Sequence, residues 1–169
     1  VASEISHIEP YPCSMERLYA TLTDERYWRD RVATMAGGGG ELISCAADKS
    51  GFRAVVRQPI PATSIPAALT RFVPSRVNVE YTESWLPRET ARAAGTFVST
   101  VISMPASIDA RVELRAVGPD RCDMHFEGTV TASVPVVGAM VEKMMMAQTA
   151  EGFRIEREFT LDWLARPRV

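Results

Sequence analysis

Several things are scarce in this sequence, and each scarcity removes a class of function. Its 169 residues include three cysteines, Cys13, Cys45 and Cys122, an odd number without CxxC spacing. That argues against a disulfide framework and a paired-cysteine zinc site, and favours a reduced, cytoplasmic protein. Only two histidines are present, His7 and His125, too few and too far apart for a metal cluster or a catalytic triad. Lys and Arg number 19 against 21 Asp and Glu, with no basic run, so nucleic acid is not an expected partner. No apolar stretch nears the roughly 18 residues needed to cross a bilayer. The first residues, VASEISHIEPYP, have neither the basic nor the apolar region of a secretory leader. No integral membrane segment is expected, which leaves transient contact with a membrane surface open. Gly37–Gly40 is not followed by GK[ST], and GxGxxG and GxSxG are absent, so neither a phosphate loop nor a nucleophile elbow is read. No cofactor or metal is expected.

What is present is a change of period along the chain. Glu4 to Ile8 suits a short strand ended by Pro10-Tyr11-Pro12. Ser14 and Asp24 then offer N-caps for two short tandem helices, the second running to about Met35 before the glycines. Glu41–Ala47 and Phe52–Gln58 read as a hairpin about Asp48–Gly51. The proline-bracketed segment Pro59 to Pro74 has room for one or two helical turns at Ala67–Phe72 and reads as a lid. Strands resume at Arg76–Leu86 and Ala93–Ser103. The clearest alternation follows. Ala106, Ile108, Ala110, Val112 and Leu114 share one face of a strand, as do Met124, Phe126, Gly128, Val130 and Ala132 of the next. Strict period two predicts an antiparallel sheet covered on one face and wet on the other. Asp109, Glu113, Asp123, His125 and Glu127 fall on the wet face, so no inward carboxylate pair is read.

After Ser133 the period becomes helical, with Pro135 in the first turn and Pro167 as the stop. On a helical wheel Val137, Val141, Met144, Met145, Gln148, Gly152, Ile155, Phe159 and Trp163 form one stripe. The consecutive methionines Met144-Met145-Met146 cannot share a face, because each residue turns about 100° from the last. Two belong to the stripe. Met146 falls with Phe153 and Leu164 on a second, thinner strip, which either packs under the N-terminal segment or is exposed for a partner. Gly152 at mid-helix costs about 1 kcal/mol relative to Ala, and Gln148 is a polar amide in an apolar stripe. Opposite them Ala110, Gly128 and Ala132 are small. Together these point to a cavity edged by Met140, Met144 and Met145. An ordinary core in which Gly152 permits close packing uses the same residues.

Strand, two short helices, six or seven antiparallel strands and a long C-terminal helix define an α+β architecture over residues 1–169, read as one domain. In this order DERYWRDRVATMAGGGGEL, TRFVPSRVNVEYTESW, AGTFVSTV and VTASVPVVGAMVEK resemble the START-like, or helix-grip, superfamily that includes the birch-pollen allergen and polyketide cyclases. Within it they are most similar to an actinobacterial family of unknown function. The resemblance implies a curved sheet gripping the C-terminal helix, and a hydrophobic or amphipathic small molecule, a lipid or polyketide-like metabolite, bound between them. The residues expected to line that space are Leu69, Phe72, Val79, Tyr81, Phe97, Ile108, Ala110, Val112, Met124, Phe126, Gly128, Val130, Met140, Val141, Met144, Met145, Gln148, Gly152, Ile155 and Phe159. A carrier or sensor, a monomer or weak homodimer, is the expected form. A cyclase or aromatase using the same cavity, and an interaction module using the Met146 strip, are the alternatives.

Overall fold

The computed structural model describes residues 2–35 and 39–167; Gly37 and Gly38, half of the expected glycine connection, lie outside the described residues. The elements are β1 (Ala2–Tyr11), α1 (Met15–Leu22), α2 (Glu25–Thr34), β2 (Glu41–Asp48), β3 (Gly51–Ile60), β4 (Val77–Trp85), β5 (Arg92–Val101), β6 (Ala106–Gly118), β7 (Arg121–Ala132) and α3 (Gly138–Ala165). Two single 3-10 turns, Ala62–Ser64 and Ala67–Leu69, occupy the proline-rich segment. The strands form one antiparallel sheet in the order β1-β7-β6-β5-β4-β3-β2, curved around α3.

The first strand runs further than expected, through Pro10 and Tyr11. Because β1 is an edge strand, one of its sides needs no ladder hydrogen bonds and the proline is tolerated. The two tandem helices follow their caps. The Ser14 hydroxyl accepts from the Arg17 N–H at 3.2 Å, and an Asp24 carboxylate oxygen from the Arg26 N–H at 2.9 Å. Replacing Ser14 with Ala is expected to cost about 1 kcal/mol, read as a lower urea midpoint with unchanged slope. On β6 and β7 the alternation holds: Ala106, Ile108, Ala110, Val112, Leu114, Met124, Phe126, Val130 and Ala132 are buried. Cys13 and Cys122, distant in sequence, face one another as free buried thiols.

The C-terminal helix corrects the sequence reading in two ways. It begins at Gly138, not near Pro135. Val136, with φ 69°, sits at the centre of a three-residue turn closed by the Val137 N–H on the Pro135 carbonyl at 2.8 Å, the rarer, positive-φ form of γ-turn. The inward face is also rotated about 50° from the apolar stripe, at 100° per residue. Phe153, Glu142, Glu156 and Thr160 are buried on it, whereas Ile155 and Met140 are exposed. A wheel weighted by apolar residues leaves out two glutamates that the fold buries with partners. The thinner strip packs inward, with Phe153 against β1. Phe153 stacks on His7 at 4.3 Å between ring centres and meets Phe126 edge-on at 4.9 Å, and Met146 and Leu164 pack against the core.

Candidate functional site

Between α3 and the concave face of the sheet lies a cavity of about 180 Å³. Period two aims residues into it from five consecutive strands: Ile60 from β3, Val79, Tyr81 and Glu83 from β4, Phe97, Ser99 and Val101 from β5, Ile108 and Val112 from β6, and Met124 and Phe126 from β7. The helix contributes Met144, Met145, Gln148, Thr149, Gly152, Phe153 and Glu156, α2 contributes Arg31, and Met35 enters from the residue that caps α2. Tyr81, Phe97, Phe126 and Phe153 form a continuous aromatic wall with ring centres 4.9 to 5.5 Å apart.

Of the residues expected from sequence, the cavity brings together Val79, Tyr81, Phe97, Ile108, Val112, Met124, Phe126, Met144, Met145, Gln148 and Gly152. The others lie elsewhere. Leu69, Ala110, Val130, Val141 and Phe159 are buried in the surrounding core, while Phe72, Met140 and Ile155 are surface residues. Gly128 is small for a different reason from the one expected: a Cβ there would collide with the Asp109 carbonyl and the Ala110 side chain, so it allows close strand approach and leaves no space. Gly152 is the opposite case. A Cβ built on it meets nothing within 4 Å, so the helix glycine faces open space, not a packed neighbour.

The polar end of the cavity was not read from sequence. Arg31 is 5 % exposed and lies over the Trp28 ring, 4.6 Å from its centre. Its Nη1 donates to the Glu156 carboxylate at 3.2 Å and to the Tyr27 hydroxyl at 3.4 Å. Thr160 donates its single proton to the Glu156 carbonyl at 2.7 Å, so the Tyr27 hydroxyl is the donor in its 2.8 Å bond to Thr160. Glu83, also 5 % exposed, accepts from the Trp85 indole N–H at 2.9 Å. The Arg31 Nε, buried in the same cluster, has no hydrogen-bond partner among the described residues.

Electrostatics follow from this crowding. Burial, reinforced by the nearby Glu156 charge and only partly opposed by Arg31, pushes the Glu83 carboxyl up to about 7. Burial likewise pushes the Tyr81 hydroxyl up to about 12, Arg31 opposing the shift. Burial works against the charge of Arg31, but Glu156, Tyr81, Tyr27 and Glu83 outweigh it and hold the guanidinium above its ordinary value. The signal for Glu83 was present in VNVEYTESW. Once Tyr81 points inward, so do Val79, Glu83 and Trp85. Arg31 shares its helix face with Tyr27 and Trp28, one turn away. The remaining inward carboxylate, Glu142, accepts from the Ser3 hydroxyl at 2.6 Å, away from the cavity. Nothing among the described residues groups three or more His, Cys, Asp or Glu as a metal site, and no helix among them is long and apolar enough to cross a membrane.

A curved seven-stranded antiparallel sheet holding a long C-terminal helix over a lined cavity is the helix-grip arrangement of START-like proteins. The chain belongs to the family described as "Protein of unknown function (DUF2505)", whose model matches residues 6–164. The uncharacterized protein Rv0481c of Mycobacterium tuberculosis is 21% identical over 162 residues, covering 91% of this chain and 92% of that one. Among solved structures, the ZhuI aromatase/cyclase of Streptomyces sp. R1128 superposes with a TM-score of 0.60 at 10% identity, over 98% of this chain and 95% of that one. Human STARD10 does so with a TM-score of 0.60 at 14% identity, over 95% of this chain and 64% of that one. At such identities the likeness carries the fold alone.

Proposed function

We propose that the protein is a single ligand-binding domain that takes a hydrophobic or amphipathic small molecule into the cavity between sheet and C-terminal helix, as a carrier or sensor. The observation that carries this reading is Gly152. A helix interior accepts a glycine at about 1 kcal/mol, and here that cost is not offset by close packing, since nothing stands within 4 Å of the missing side chain. Affinity would come chiefly from apolar burial, at about 25 cal/mol per Å².

Replacing Gly152 with Leu tests the reading. Filling the space with a better helix former is expected to raise stability by about 1 kcal/mol and abolish uptake of toluene, followed by shifts of the Met144 and Met145 methyl signals. Unchanged uptake, or a loss of about 1 to 3 kcal/mol as in an overpacked core, would remove the cavity from the function. A second reading, an enzyme of the cyclase or aromatase type, is favoured by one observation: Tyr81 and Glu83 both face the cavity, and a carboxyl near neutrality suits general acid–base work. It requires turnover of a bound compound that Glu83→Gln abolishes while binding is retained.

A further inference from the structure

The chemistry of the ligand can be narrowed from the shape and charge of the same cavity, an inference that rests on the ligand-binding reading. We propose that the cavity selects a compact, uncharged molecule of about one ring, carrying a hydroxyl or carbonyl oxygen that docks at Arg31 and Glu83, and that it refuses organic anions.

Size sets the first limit. The cavity measures about 180 Å³, whereas an apolar cavity of about 150 Å³ holds benzene and pockets for drug-sized ligands run from about 300 Å³ upward. One ring with one or two small substituents fills the space; a two-chain lipid or a fused polycycle exceeds it. The walls agree, since Tyr81, Phe97, Phe126 and Phe153 offer ring faces and edges at the spacing aromatic contacts prefer.

Charge sets the second. Among the described residues lining the cavity, Arg31 is the single cation, and it faces two carboxyls, Glu83 and Glu156. A ligand carboxylate would be a third acid around one guanidinium, beside side chains that are themselves buried, where an uncompensated charge is costly. An ammonium fails for a different reason. It would stand as a second cation against the Arg31 guanidinium that lines the cavity, and it has donors only. An uncharged oxygen satisfies both neighbours. It accepts from the Arg31 guanidinium, and it donates to Glu83 as a hydroxyl or accepts from the protonated carboxyl as a carbonyl.

Four probes that share one ring test this on the intact chain at pH 6.5: toluene, p-cresol, p-toluate and 4-methylbenzylamine, with affinities from methionine-methyl NMR titration. The expected order puts p-cresol at least about tenfold tighter than each of the other three, with Gly152→Leu blocking it. Equal binding of toluene and p-cresol would overturn the polar docking while leaving the cavity in place. Tightest binding by p-toluate or by 4-methylbenzylamine would overturn the charge argument. Estradiol, a four-ring phenol, binding more tightly than p-cresol would overturn the size limit. Failure of every probe, toluene included, would remove the ligand-binding reading and this inference with it.

Discussion

Exchanging Arg31 for methionine is expected to lower stability by about 3 to 5 kcal/mol at pH 8, among the largest losses any single substitution in this chain should give. The reason is what the substitution leaves behind. Methionine keeps apolar bulk against Trp28, but Glu156 loses its partner and Glu83 the cation that opposes its burial, both in surroundings that hydrate them poorly. Urea titration reads the loss directly. At pH 5 it should shrink, because Glu83 then carries its proton in the parent and in the variant alike. Adding Glu83→Gln and Glu156→Gln to Arg31→Met should recover most of the stability, since removing all the charges of a buried cluster costs far less than orphaning some of them. A midpoint unmoved by Arg31→Met would mean that water reaches the cluster and that the guanidinium compensates nothing.

The second large effect is the dependence of stability on pH. The Glu83 carboxyl is held near 7 in the folded protein, chiefly by burial and then by Glu156, against an ordinary value of 4.5. The folded state therefore binds more protons than the unfolded chain between these values, and stability falls as pH rises. The contribution is fully present below about pH 4.5 and is lost as pH climbs through about 7, an amount on the order of 3 kcal/mol. Glu83→Gln keeps an acceptor for the Trp85 indole and should flatten this part of the profile, making the variant the more stable protein at pH 8. A parent profile that is level or rising from pH 5 to 8, with no difference in Glu83→Gln, would show that Glu83 ionises normally.

Both predictions concern residues that the sequence pattern did not single out, and the reason is physical. Periodicity reports burial through apolar side chains. It therefore finds Ile108, Val112, Met124 and Phe126, whose strands alternate strictly, and it misses Glu156, which the same logic assigns to solvent. Buried carboxylates are visible only once their partners are known, and Arg31 stands 125 residues away in sequence. Of the three helix methionines expected at the cavity, Met144 and Met145 line it, because they fall on the overlap between the apolar stripe and the true inward face. Ile155 and Met140 fall on the side that the rotation of α3 turns outward.

From its sequence alone the chain determined the order of its elements, the helix caps at Ser14 and Asp24, the inward faces of β6 and β7 and the long closing helix. Each of these follows from local chemistry: a cap satisfies nearby N–H groups, and an alternating strand buries the same face wherever it lies. The helix-grip architecture was implied by the resemblance to START-like proteins. Tertiary structure decided the rotation of α3, the stacking of Phe153 on His7 of β1, the emptiness beside Gly152 and the crowding beside Gly128, and the meeting of Arg31, Glu83 and Glu156. None of these is local. Whether a glycine makes room or fills a close approach depends on what stands opposite, and whether a glutamate is solvated or buried depends on a charge supplied by a distant part of the fold.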